Sequence, residues 1–176
     1  MSNIIRVSFT EYINVSTTRT FIELLCKEVE IHPCASDIII NMSTPGGDVE
    51  LAIEIYNFLR ELDCRITTVN TSFVNSAGIL IYLAGDKREC LPASSFYVHS
   101  VTKKLNGTFT YKDLEREVQE VKGNTRKIAA LLENRTMKTS SYWRGMMHKG
   151  VILQAERAVK LGLAHILRDS EAHEVF

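Results

Sequence analysis

The sequence carries no net charge, because 21 Lys and Arg residues balance 21 Asp and Glu residues. A duplex-binding protein needs a basic footprint, and so does a protein held on an anionic membrane surface. Neither nucleic acid nor membrane is therefore expected as a partner. No apolar run approaches the roughly 18 residues that a membrane span requires. The opening residues, Met1-Ser2-Asn3-Ile4-Ile5-Arg6, lack the charged-then-apolar layout of a secretory leader, so a cytoplasmic location is expected. Cysteine is sparse. Cys26, Cys34, Cys64 and Cys90 lie 8, 30 and 26 residues apart, with no C-x-x-C and no H-E-x-x-H nearby. That spacing argues against a zinc site, and cytosolic thiols stay reduced.

What is present is an ordinary globular balance of 45% apolar and 24% charged residues in 176 positions, enough for one domain over 1–176. Ile4 to Phe9 reads as a strand. Ser16-Thr17 is placed to cap a helix to about Val29, with Phe21, Leu24 and Leu25 on one face. Asp37 to Asn41 is a short apolar run that suits a strand buried on both faces of a parallel sheet. After the Thr44-Pro45-Gly46-Gly47 turn, Asp48 is placed to cap an amphipathic helix over Val49 to Leu62. Arg65 to Asn70 reads as a strand, and Ile79 to Ala84 as a helix buried all round. Cys90-Leu91-Pro92 opens a further strand over Ser94 to His99. Short helices follow near Tyr142-Trp143 and over Ala155 to Leu161, the latter stopped by Gly162. Strands alternating with helices predict a layered α/β fold.

The stretch from Thr110 to Thr136 differs in kind. Thr110-Tyr111-Lys112-Asp113 has the form of a capping box. Leu114, Val118, Val121, Thr125, Ile128 and Leu132 then step by 4, 3, 4, 3 and 4 residues. This is a narrow 3.5-residue seam on a charged helix of about seven turns. The spacing suits a helix that zips against another subunit; the alternative is a surface helix packed along its own domain.

Among the histidines, His32, His165 and His173 read as solvated, and His148 lies in a basic, Met-rich turn. His99 alone ends an apolar strand, where parallel sheets present reactive groups. Ser76 lies between a strand and a buried helix, with Ala77-Gly78 directly after it. A hydroxyl there stands beside free backbone N–H groups. Gly46-Gly47 offers the same access to peptide N–H donors. The alternative reading is that Pro45-Gly46-Gly47 only turns the chain and Ser76 only caps a helix.

These residues carry a resemblance. Met42-Ser43-Thr44-Pro45-Gly46-Gly47 resembles the N-S-P-G-G motif of the ClpP family of serine peptidases. Val74-Asn75-Ser76-Ala77-Gly78 is similar to that family's nucleophile segment, and Phe96-Tyr97-Val98-His99-Ser100 to its histidine strand. Gly47 and Ser76 are separated by 29 residues, as in the family. The likeness continues through the long helix to Ala155-Glu156-Arg157-Ala158-Val159-Lys160-Leu161-Gly162-Leu163, and so covers the chain after about Ile5.

The resemblance implies a ClpP/crotonase-like α/β fold of stacked β-α units. The head would comprise about 1–105 and 138–176, with a projecting handle helix over about 110–136. It implies Ser76 as nucleophile, His99 as general base and the Gly47 and Ala77 N–H groups as oxyanion donors, with no metal and no cofactor. It also implies self-assembly into a ring, a heptamer or stacked double ring, that takes peptide or unfolded protein. An AAA+ unfoldase or a second ClpP-like subunit would be the partner.

Two features depart from the pattern. Gly150 stands where the family carries its catalytic Asp, so the third triad position is expected to be lost. Glu115, Asp169 or a neighbouring subunit is left to supply an acid. The N-terminus is shorter than the family's axial loop, which argues against dependence on an unfoldase. The leading expectation is a serine endopeptidase subunit. Its alternatives are a structural ring subunit without activity, a crotonase-type acyl-CoA enzyme, and a Ser-Lys peptidase using Lys103 or Lys104.

Overall fold

A computed structural model describes residues 4–168. His173 and Asp169 lie outside them. The elements run β1 (Ile4–Phe9), α1 (Val15–Ile31), β2 (Asp37–Thr44), α2 (Val49–Glu61), β3 (Arg65–Asn75), α3 (Gly78–Leu83), β4 (Lys87–Cys90) and β5 (Ser95–Val98). Then come α4 (Tyr111–Arg135), α5 (Ser140–Lys149), β6 (Val151–Gln154), α6 (Ala155–Lys160) and β7 (Ile166–Leu167).

Parallel pairing orders the sheet β1-β2-β3-β4-β7. The long strand β3 serves two neighbours in turn. Thr67 to Asn70 pair with β4, and Phe73 to Asn75 pair with β5. β6 then runs antiparallel beside β5, with Val98 opposite Val151. The register of β2 against β3 slips between Met42 and Thr44, after which Thr44 faces Val74. Such an irregularity bends a strand and re-aims the residues beyond it. Here it delivers the Pro45-Gly46-Gly47 turn to the C-terminal end of β3.

Local signals account for most of the elements. β1 alternates strictly between exposed and buried residues. Asp48 caps α2 by accepting from the Leu51 N–H at 3.0 Å. Every residue of α3 is buried. Thr110 and Asp113 form the expected capping box at the start of α4. Trp143 fills the core from α5, and its indole N–H donates to Thr136 Oγ1 at 2.8 Å. No described helix is long and apolar enough to cross a membrane.

Four expectations need correction. The cap of α1 is Asn14 rather than Ser16-Thr17; Asn14 Oδ1 accepts from the Thr17 N–H while Thr17 Oγ1 accepts from the Asn14 N–H. β2 buries one face fully and the other only in part. Cys90 closes a strand instead of opening one, and the segment Lys87-Arg88-Glu89 that precedes it is that strand. Its charges resemble a loop, yet Arg88 is only 2% exposed. The guanidinium is accommodated because it donates to the carbonyls of Gly85, Arg135, Gly162 and Leu163, as a buried charge requires. Glu89 is paired in turn by Lys87 and Arg168. Finally, the short strands β6 and β7 add to the sheet where the sequence pattern predicts none.

The α4 seam divides. Leu114 and Val118 are exposed, whereas Ile128 and Leu132 are buried in the core. The second half therefore packs along its own domain, while the first half leaves its stripe open.

Candidate functional site

Ser76 is the residue between β3 and α3. Its φ of 54° makes it the one described non-glycine residue with positive φ. Such a conformation costs on the order of 1–2 kcal/mol and persists only where the surroundings impose it. They do so here through backbone. The Ser76 N–H donates to Tyr97 O at 2.8 Å, and Ser76 O accepts from the Ile79 N–H at 3.1 Å. Asn75 Oδ1 accepts from the Tyr97 N–H at 3.0 Å. The end of β5 is thus bound through both the N–H and the carbonyl of Tyr97 to Asn75, the last residue of β3, and to Ser76 after it.

The glycine turn lies directly on this junction. A Cβ on Gly46 would stand 2.6 Å from Asn75 O and 2.7 Å from Ser76 Cβ. Thr44 anchors the turn, donating to Glu11 O at 2.6 Å and accepting from the Gly46 N–H at 3.1 Å. Ile13 brackets Gly47: the Ile13 N–H donates to Gly46 O, and Ile13 O accepts from the Asp48 N–H. Among the described residues, the N–H groups of Gly47 and Ala77 have no acceptor of their own. Free N–H groups of this kind can receive a developing negative charge.

His99 follows β5 and is half-buried. Ser76, His99 and Gly47 line one narrow cleft, together with the apolar side chains of Ile79, Ile128 and Met147. Through Gly47, Val49, Val101 and Thr102 this cleft opens into a larger groove of about 430 Å³ between α4 and the loop after His99. No hydrogen bond joins Ser76 Oγ to His99 among the described residues. His99 Nδ1 lies 2.7 Å from Ser100 O, and the imidazole stacks on the Tyr97 ring at 4.7 Å and 24°. Ser100 is itself held, donating from Oγ to Met147 O at 3.1 Å.

Gly150 caps the end of α5 in a left-handed conformation, φ 63°, directly before β6, whose first residue Val151 lies opposite Val98 of β5. A Cβ there would meet Tyr97 Oη at 3.3 Å. No acid pairs with His99 among the described residues. Glu115 is exposed on α4 and accepts instead from Tyr111 Oη at 2.7 Å. Lys103 lines the groove and not the narrow cleft, and it pairs with Glu117 and Glu120. Those hydrogen bonds hold its ammonium above the usual lysine value, which opposes its use as a neutral base. His165 is exposed and lies outside the cleft, with Nδ1 accepting from the Arg88 N–H at 3.2 Å. Partial desolvation of the ring, and then the charges of Arg88 and Arg135, lower its pKa. All four cysteines are unpaired, and among the described residues no three acidic, His or Cys groups gather to hold a metal ion.

Sequence reasoning missed Asn75 and Tyr97. Neither follows from spacing, because each acts through a contact made across two strands. A signal did exist: both lie within two residues of a position already singled out.

Fold and cleft together define a class: a largely parallel α/β protein with a serine at a strained strand-to-helix junction, a histidine just past a strand paired to the serine's own, and unpaired N–H groups in the same place. The family profile described as Clp protease matches residues 2–170, and the chain belongs to that family. It is 29% identical over 114 residues to the ATP-dependent Clp protease proteolytic subunit 3 of Rhizobium meliloti, a match covering 62% of this chain and 57% of that one. Against the proteolytic subunit of Paracoccus denitrificans the identity is 36% over 86 residues, or 47% and 43% of the two chains. These matches span about half the length of the relatives. A longer one, 26% identical over 152 residues, covers 84% of this chain and 77% of subunit 3 from Rhizobium etli. A mutant of ClpP1 from Listeria monocytogenes superposes with a TM-score of 0.83 at 22% identity, covering 94% of this chain and 92% of that one. That likeness shows the fold.

Proposed function

We propose that this chain is the subunit of a serine endopeptidase in which Ser76 attacks a peptide carbonyl. His99 Nε2 takes the Ser76 proton and returns it to the leaving amine, and water releases the acyl group by the same route. The N–H groups of Gly47 and Ala77 receive the oxyanion. The observation that carries this reading is the strained Ser76 held in one cleft with His99 and Gly47. Strain at a single polar residue is a mark of function. The groove along α4 supports an extended peptide as substrate, since it shares Gly47, Val49, Val101 and Thr102 with the cleft that Ser76 lines.

Apo clefts often carry long catalytic contacts that tighten on binding. The missing Ser76–His99 hydrogen bond therefore calls for closure by peptide or by a neighbouring copy. Tyr111, Leu114 and Val118 are exposed along the first half of α4 and support pairing with another subunit through this helix. The family further suggests rings working with Clp ATPases.

A second reading is favoured by Gly150 and the open Ser76–His99 contact: a structural ring subunit that does not cut. Labelling the assembled protein with a fluorophosphonate, followed by peptide mapping, separates the two. Modification of Ser76, absent in Ser76→Ala and strongly slowed in His99→Ala, is the expected result. An assembled protein that resists the probe would leave the structural reading in its place.

A further inference from the structure

We infer that Tyr97 and the backbone carbonyl of Ser100 together orient His99, taking the part for which a triad ordinarily uses a carboxylate. The inference rests on His99 being the general base, and it names the groups that make it one.

The geometry is specific about the tautomer. A carbonyl oxygen can only accept, so the 2.7 Å contact with Ser100 O puts the proton on His99 Nδ1. Nε2 is then left bare, the form in which an imidazole can take a proton from a hydroxyl. The partner of one ring nitrogen in this way decides the state of the other. Ser100 O is a fixed acceptor, because its residue is tied through Oγ to Met147 O at the end of α5.

A hydrogen bond at one nitrogen leaves the ring free to rotate about that contact. The Tyr97 ring removes this freedom by lying against the imidazole at 4.7 Å and 24°. Tyr97 is itself immobile at its backbone, where the Asn75 side chain holds its N–H and the Ser76 N–H holds its carbonyl. The strand that carries the stacking ring is thus bound to the nucleophile's own backbone. Tyr97 Oη also occupies the space in front of Gly150, 3.3 Å from where a side chain at that position would begin. An aromatic ring and a peptide carbonyl fill the place of an acid. Once His99 has accepted the Ser76 proton at Nε2, the same carbonyl still receives the Nδ1–H of the imidazolium, so no group need change its role.

Tyr97 is a positioning residue, and the test reads position apart from turnover. The full-length protein is labelled with ¹⁵N-histidine, and the tautomer of His99 is read from its ring-nitrogen shifts in wild type, Tyr97→Phe, Tyr97→Leu and Tyr97→Val. Val serves as a second deletion that suits a strand. Wild type and Tyr97→Phe are expected to show Nδ1–H with Nε2 bare. Leu and Val are expected to admit the Nε2–H form that an unrestrained imidazole prefers in water. Fluorophosphonate labelling of Ser76 should fall about tenfold in those two and return in Tyr97→Phe, the scale of an aromatic contact. A wild-type His99 carrying its proton on Nε2 would overturn the inference without any variant. So would Leu and Val variants whose tautomer matches wild type. A locked tautomer in a protein that never labels would defeat the peptidase reading and leave the positioning intact.

Discussion

Gly46 leaves no room for a side chain beside the nucleophile's junction. An added methyl would meet Asn75 O at 2.6 Å and Ser76 Cβ at 2.7 Å, and both belong to the junction that holds Ser76 at positive φ. Neither can swing aside as the far end of a flexible side chain can. Gly46→Ala is expected to cost roughly 2–4 kcal/mol and to abolish labelling of Ser76. Urea unfolding and the fluorophosphonate probe check the two effects separately. Gly150 poses the opposite question, whether an acid restored by substitution would help. Its φ of 63° disfavours a side chain, and Tyr97 Oη lies in the way. Gly150→Asp is therefore expected to leave Ser76 labelling no faster than wild type and to lower thermal stability. A faster reaction would mean that the loop can rearrange to admit the carboxylate.

At the scale of elements, α4 is tied down at one end by charge and at the other by burial. Hydrogen bonds from the Thr110 hydroxyl and then the Thr110 N–H hold the Asp113 carboxyl below its ordinary value of 3.8. A carboxylate with a depressed folded pKa stabilises fully above its unfolded pKa and loses that contribution as pH falls through the folded value. Amide exchange in the first turn of α4, corrected for its intrinsic pH dependence, should therefore show falling protection as pH drops from about 4 toward that lower value. Asp113→Asn should remove most of the dependence, and an unchanged profile in the variant would assign the effect elsewhere. The other end of α4 meets the Arg88 and Arg135 guanidiniums. Arg135 donates to Leu83 O and Gly85 O, and Arg88 donates to Arg135 O and Gly162 O. Two side chains so satisfy carbonyls at the ends of α3, α4 and α6. Burial, and then the nearby Arg135 charge, bring the Arg88 pKa down to about 10, so it remains charged at neutral pH. Arg88→Met would leave buried carbonyls unpaired and is expected to cost about 3 kcal/mol or more. Chemical denaturation would measure it, and a loss below about 1 kcal/mol would mean that water replaces the guanidinium.

For the whole molecule, the two halves of the seam separate folding from assembly. Ile128 is 9% exposed and Leu132 1%, so a charge at either would damage the subunit itself. Leu114 and Val118 are 44% and 48% exposed, which leaves them open to another subunit. Leu114→Asp combined with Val118→Asp should keep the circular dichroism of wild type while reducing the sedimenting mass. An unchanged mass would mean that the exposed half of α4 takes no part in assembly.

The features legible in the chain alone are those whose energetics are local. Asp48, Thr110 and Asp113 cap helices through side chains within three residues of the N–H groups they satisfy, and such signals survive in any short window. The motifs that singled out Gly47, Ser76, Ala77 and His99 are legible for the same reason. β4 is hidden because Lys87, Arg88 and Glu89 are charged, and only the carbonyls of Gly85, Arg135, Gly162 and Leu163 make the burial of Arg88 tolerable. Three of those four lie at least 47 residues from Arg88. The orientation of His99 is hidden likewise, since it depends on a stacked ring fixed from β3 and on a carbonyl anchored to α5. Local propensity has no access to partners that only a closed fold brings together, and hydrogen bonds made across such distances decide what a histidine in this cleft can do.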